Sequence, residues 1–166
     1  MSGRVRSAAA GAIAATVWGA LEPVDQRVFR YRYSDVAVLG KLATQGPRWR
    51  TAGFAIHAAN GAVFGVAYHE LRRRRGWSAL RLSLAEHLAL YPLSALVDRY
   101  HPARGSDGIP PLLDARAFAQ ATVRHALFGT LLGRLASPAT ARGRTSPPAQ
   151  PARRSGGPSA SSPSAP

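Results

Sequence analysis

The five histidines of this 166-residue chain all lie within or beside stretches that otherwise contain few charged residues. In the third such stretch, polar and aromatic residues recur at intervals of four, three, four and three, which places them on one face of a predicted helix. These residues are His87, Tyr91, Ser94, Asp98 and His101. Such a face either joins helices by hydrogen bonds or lines a binding or permeation pathway.

A second polar face is predicted in the preceding stretch, where His57, Asn60, Phe64 and Tyr68 follow helical spacing. Two glycines four residues apart lie beside it, so we expect this face to pack closely on the face that contains His87. Together the two faces form the predicted site for a ligand or partner. The alternative for His57 and Asn60 is a purely structural role, in hydrogen bonds to their neighbours.

Glu86 and Arg124 carry opposite charges near the middle of the third and fourth stretches. Because an unpaired charge is costly in an apolar environment, we expect these two residues to form a buried ion pair. A buried pair of this kind contributes more to specificity or switching than to stability.

The ionisable residues include the types that bind metals, but their spacing does not form a known metal motif. The sequence contains no HExxH, no paired HxxxH and no repeated carboxylate–histidine motif among His57, Glu86, His87, Asp98, His101 and His125. It has no cysteine, no GxSxG and no nucleotide-binding glycine loop. We therefore predict no catalytic residue, metal or cofactor, and a non-enzymatic binding or accessory protein. A membrane-embedded His/carboxylate metal enzyme is the first alternative.

The net charge of +14 suggests a second alternative, a soluble basic helical protein that binds nucleic acid. However, the basic residues lie mainly at the ends of the apolar stretches and in the C-terminal segment, and no nucleic-acid-binding module is recognisable. A consecutive cluster, Arg72, Arg73, Arg74 and Arg75, is explained equally well by contact with anionic lipid headgroups. Nucleic acid is therefore not the expected partner.

Four stretches are long and apolar enough to be considered as membrane spans: 7–21, 51–69, 82–97 and 117–133. They predict an all-α, four-helix transmembrane bundle made of two helical hairpins, in a domain covering residues 1–136. Residues 137–166, rich in Ser, Pro and Ala, are predicted to be a disordered basic tail. A cleaved signal peptide is the alternative for the first stretch.

Small residues spaced four apart support the membrane prediction, because membrane helices pack through small side chains that allow close backbone approach. The pattern occurs in every stretch: Gly11, Ala15 and Gly19; Gly61 and Gly65; Ala85 and Ala89; Gly129 and Gly133. Membrane lipids, and partner helices or a second copy of the chain, are the expected partners.

The connections contain several local signals. A short interfacial helix is predicted over 35–43, with Ser34 as its N-cap. Pro92 is expected to kink the third helix, and Pro110 or Pro111 to begin the last one. Residues 18–25 and 91–98 both place an aromatic residue seven positions before a Val-Asp pair, which suggests a duplicated hairpin.

Arginine clusters near span ends favour the cytoplasmic side. The cluster at residues 72–75 therefore predicts a multi-pass protein of the inner (plasma) membrane, with both termini cytoplasmic. The basic loop at residues 22–50, which would then lie outside, argues against this orientation.

The segments GAIAATVWGALEP, HAANGAVFGVAYHEL and RHALFGTLLGRL resemble segments of small uncharacterised bacterial inner-membrane proteins of the YagU-like family. The resemblance covers residues 11–135 and depends on glycine-rich stretches and on a His-x-x-x-Gly-x-x-x-Gly arrangement at His57, Gly61 and Gly65. It implies a four-span architecture and a bacterial origin, and it implies no catalytic residues.

Overall fold

The computed structural model describes residues 2–103 and 109–137, and within them the only regular secondary structure is helical. The helices are α1 (Gly3–Phe29), α2 (Asp35–Ala43), α3 (Trp49–Arg75), α4 (Ala79–Leu90), α5 (Ser94–Tyr100) and α6 (Ala115–Ala136). A 3-10 turn, Tyr91–Leu93, separates α4 from α5 at the predicted kink. The all-α prediction is confirmed. The predicted tail lies outside the described residues, except for Ser137.

The long helices α1, α3 and α6 and the shorter α4 lie at the four predicted stretches, and α1 and α3 each have 27 residues. Among the described residues, no helix combines enough length with enough apolar character to cross a membrane. The prediction of helices at these positions is therefore confirmed, and their mean hydropathy does not support the prediction that they are spans.

Side-chain caps mark the starts of α2 and α6. Ser34 accepts a hydrogen bond from the Ala37 amide at 2.9 Å, so the predicted start of α2 is confirmed. In α6 the cap is Asp114, which accepts from the Arg116 amide at 2.7 Å. The prediction that Pro110 or Pro111 begins this helix is therefore wrong, because the carboxylate four residues after Pro110 satisfies the first free amides.

The helices pair as α1 with α3 and α4 with α6, and α1 also packs on α6. Helix α2 lies against α3, whereas α3 and α4 make only slight contact. The predicted packing of the His57 face on the His87 face is therefore wrong. A cleft separates these helices because each is held by a different partner, α3 by α1 and α4 by α6.

Glycines bring the paired helices into backbone contact. A Cβ atom on Gly11 of α1 would lie 2.0 Å from the carbonyl oxygen of Gly61 on α3. A Cβ on Gly65 would lie equally close to the Ser7 carbonyl oxygen. The spacing of small residues in the first two stretches thus reports a real close approach between α1 and α3.

The two helix pairs use similar contacts. Gly65 of α3 lies against the backbone of Ser7 near the start of α1, and Gly129 of α6 lies against the backbone of Ala79 at the start of α4. The phenylalanines that precede these two glycines touch each other, with ring centroids 5.2 Å apart. This arrangement is the one that a duplicated hairpin would produce.

Three helix ends meet at one end of the bundle. Arg4 of α1 binds Glu70 of α3, and Arg6 donates to the Ala136 carbonyl of α6 at 3.0 Å. The exposed arginines at residues 72–75 begin two residues after Glu70, so they lie at the same end. The side of a membrane that this end faces stays a prediction.

We expect Gly11→Ala to destabilise the protein by about 2 kcal/mol or more, because the added methyl group would push apart two backbones. The matched control is Gly133→Ala on α6, where the new Cβ would meet only the Ala79 Cβ at 3.5 Å. That change should be neutral or stabilising by up to about 1 kcal/mol, since Ala is the better helix former. Thermal unfolding followed by circular dichroism measures both, and equal effects would contradict the described contact.

Candidate functional site

A buried arginine lies between three carboxylates at the centre of the molecule. Arg124 of α6 is 2% exposed. Its Nη2 lies 2.6 Å from Asp25 of α1, and its Nη1 lies 2.7 Å from Asp35 of α2 and 3.6 Å from Glu22 of α1. We call these four residues the Arg124 cluster. Glu22 and Asp25 are three residues apart, so both face α6.

Each carboxylate of the Arg124 cluster has further hydrogen-bond donors. They are Trp18 and Tyr33 for Asp35, Ser34 and the Val36 amide for Glu22, and Gln120 for Asp25. Burial tends to raise the pKa of Asp35, but the Arg124 guanidinium, together with smaller effects of His57 and the Tyr33 hydroxyl, holds that pKa below its ordinary value. The cluster therefore has one guanidinium for three carboxylates.

Beside the Arg124 cluster lies the cleft, which has a volume of about 390 Å³. One wall consists of α1, α2 and α3, and the other of α4, α5 and α6. Aromatic side chains line it, and the polar groups on its walls are Asp35, His57, Asn60, Glu86, Ser94 and His125. Apolar walls with a few convergent polar groups are typical of small-molecule sites.

His57 is the least satisfied polar group in the cleft. The residue is 7% exposed, and its Nε2 has no hydrogen-bond partner among the described residues. Its ring contacts Trp18 edge to face, with centroids 4.9 Å apart. A buried nitrogen without a partner is costly, so the fold bears this cost at His57.

Glu86 pairs with His125 and not with Arg124, so the predicted ion pair is corrected. The Glu86 carboxylate lies 3.3 Å from His125 Nε2, while Nδ1 of the same ring lies 2.8 Å from the Ala121 carbonyl. Successive helix positions point about 100° apart, which follows from 3.6 residues per turn. Arg124 therefore faces α1, while the next residue, His125, faces α4.

Most of the polar face predicted around His87 is used for hydrogen bonds within the chain. His87 Nε2 lies 3.0 Å from the Thr122 hydroxyl. Asp98 accepts from the Leu112 amide at 2.7 Å, and His101 Nε2 lies 2.9 Å from the Val38 carbonyl. These contacts attach α5 to α2 and to the segment before α6.

The remaining predicted site residues have three different surroundings. Tyr91 donates a hydrogen bond to the Leu112 carbonyl at 3.3 Å, and Ser94 and Asn60 line the cleft. The arginines at 72–75 are exposed at the end of α3. No group of three or more His, Cys, Asp or Glu residues in the described ranges could hold a metal ion.

The carboxylates of the Arg124 cluster lie outside the four predicted stretches, so the spacing within those stretches does not predict the cluster. Glu22 and Asp25 were assigned to a connecting loop, whereas α1 continues through them to Phe29. The available signal was their spacing of three, directly after an uncharged stretch.

We expect Arg124→Met to destabilise the protein by about 3–5 kcal/mol, because three buried carboxylates would lose their counter-ion. Arg116→Met, on the exposed surface of the same helix, is the control and should change stability by less than about 0.5 kcal/mol. Adding Asp25→Asn and Asp35→Asn to Arg124→Met should restore part of the loss in thermal unfolding. A triple variant no more stable than Arg124→Met would show that packing, not charge, explains the effect.

Comparison with known proteins does not place the chain in a family. No protein-family model matches it, and neither a curated protein nor a solved structure matches it. The resemblance to the YagU-like family therefore stays a prediction, and the function has to be argued from the geometry of the Arg124 cluster and the cleft.

Proposed function

We propose that the chain is an integral membrane protein that binds a small molecule in the cleft, without catalysing a reaction. The observation that carries the binding proposal is the cleft itself. Its volume of about 390 Å³ falls in the range of about 300–1,000 Å³ common for ligand sites. Its walls also carry the polar groups of Asn60, Glu86 and Ser94.

The surface of α1 supports a membrane location. Ile13, Val17, Leu21 and Val24 are all exposed, and they follow each other at intervals of four, four and three. They form an apolar stripe on the side that no other helix covers. A stripe of this length and composition is costly in water and favourable against lipid chains.

The other long helices have similar surfaces. On α3, residues 51–69 contain no Asp, Glu, Lys or Arg, and on α6 the one charged residue between Arg116 and Arg134 is the buried Arg124. At about 1.5 Å per residue these bands are roughly 25–29 Å long. That length is close to the bilayer hydrocarbon thickness of about 30 Å.

Mean hydropathy underestimates these helices for a physical reason. It counts each residue without regard to the direction of its side chain, so Arg124 and Glu22 lower the average of α6 and α1. Both side chains face the protein interior, where they are paired. The lipid would meet only the uncharged outer faces.

One end of the bundle fits lipid headgroups. Arg4, Arg6 and the arginines at 72–75 lie together at one end, where they would contact anionic headgroups. By the rule that basic residues remain inside, we propose that this end is cytoplasmic and that the membrane is the inner (plasma) membrane.

Spin labels test the membrane location, and the absence of cysteine makes single-cysteine variants simple to prepare. In lipid vesicles, nitroxides at Ile13→Cys, Val63→Cys and Val123→Cys should collide often with oxygen and rarely with a water-soluble nickel complex. A nitroxide at Arg30→Cys, an exposed position after α1, should show the reverse. Nickel accessibility at the first three sites equal to that at Arg30→Cys would refute membrane insertion.

A neutral fluorescent probe tests the cleft. N-phenyl-1-naphthylamine should bind saturably and accept energy from Trp18, which lines the cleft. Ser94→Phe, which fills the cleft, should abolish saturable binding, whereas Ala95→Phe, at the exposed neighbouring position, should not. Equal binding by both variants would overturn the proposed site.

A further inference from the structure

We infer that the ligand of the cleft is an amphiphilic organic cation, with its ammonium group beside Glu86 and its apolar part along Phe64 and Leu90. This inference rests on the proposed function, because it names the chemical class of ligand for the same cleft.

The charge around the cleft is unbalanced. The Arg124 cluster places three carboxylates around one guanidinium, and Asp35 of that cluster lines the cleft. Glu86 on the opposite wall is a fourth carboxylate, paired with the His125 ring. Burial and the neighbouring Asp35 raise the pKa of Glu22 to about 7, so Glu22 carries only part of a negative charge at neutral pH. Even with the His125 imidazole protonated, the other three carboxylates face two cations. In an apolar environment such an excess attracts a positive charge strongly.

Glu86 is the carboxylate that a ligand can reach. Both oxygens of Asp35 already accept hydrogen bonds from Trp18, Tyr33 and Arg124. The Glu86 side chain is 37% exposed, and its Oε2 lies 3.3 Å from His125. Its carboxylate therefore has accepting capacity left for a cation in the cleft.

His57 on the facing wall adds no contact of its own, because its unpartnered Nε2 is covered by neighbouring atoms. Glu86 is therefore the polar contact for the ligand, and a primary ammonium, which has three N–H donors, can donate to it. An anion would meet repulsion from Glu86 and would find no unpaired cation in the Arg124 cluster.

The rest of the cleft is apolar, which restricts the ligand to amphiphiles. Phe64 of one wall touches Phe128 of the other, and Leu90, Leu93 and Val97 extend the second wall. These residues lie between α3 and α4–α5, which barely touch, so the cleft is open between them. In the proposed orientation an alkyl or aryl chain would enter from the lipid phase through this opening.

The test compares octylammonium with octyl sulfate, which share a chain and differ in charge. The full chain with Trp49→Phe and Trp77→Phe retains Trp18 as its only tryptophan, and Trp18 fluorescence then reports binding at the cleft. We expect saturable binding of octylammonium and none of octyl sulfate. Glu86→Gln should raise the Kd for octylammonium about fivefold, as loss of a partly exposed charge pair predicts.

Glu70→Gln is the matched control, since Glu70 pairs with Arg4 at the end of the bundle and should leave the Kd unchanged. Circular dichroism verifies that both variants fold. Tighter binding of octyl sulfate, or a Kd unaffected by Glu86→Gln, overturns the cation inference. In that case the proposed function is still supported if N-phenyl-1-naphthylamine binds saturably and Ser94→Phe abolishes the binding of this neutral probe. Failure of the neutral probe to bind overturns both.

Discussion

The hydrogen bonds between Arg124 and its three carboxylates connect parts of the chain that are about 90 to 100 residues apart in sequence. Charge-assisted hydrogen bonds are directional, and the planar guanidinium offers a fixed fork of donors. When Arg124 binds Asp25 and Asp35, the position of α6 relative to α1 is fixed. The same contacts hold the start of α2 close to both helices. The pair of helices α4 and α6 is thereby oriented on the rest of the molecule.

The glycine contacts set a second constraint, and together the two produce the cleft. Backbone contact at Gly11 and Gly65 holds α3 close to α1, on one side of the Arg124 cluster. Helix α4 is held instead by α6, where Gly129 meets the start of α4. Helices held by different neighbours need not meet each other. The gap between α3 and α4 is the cleft, and Trp18 lies against the ring of His57 at its edge.

Several local predictions succeeded because they depended on short-range rules. The uncharged stretches, the Ser34 cap and the break at Pro92 each require only a few neighbouring residues to act. The failures depended on long-range geometry. Glu86 and Arg124 were matched by charge alone, although the direction of each side chain depends on how α4 and α6 are rotated. Pro110 and Pro111 were plausible first residues, but Asp114 competes with them for the same free amides.

The amino-acid sequence by itself determined that the described chain is helical, where its long helices lie and which small residues let them approach. These properties follow from periodicity, capping and side-chain size, all of which act within a few turns. Only the tertiary structure decided which carboxylates surround Arg124, that Glu86 faces His125, and that the His57 face lines a cleft instead of packing. The physical reason is that an ion pair or a cavity depends on the relative rotation and distance of separate helices. Those quantities result from all contacts of the bundle acting together.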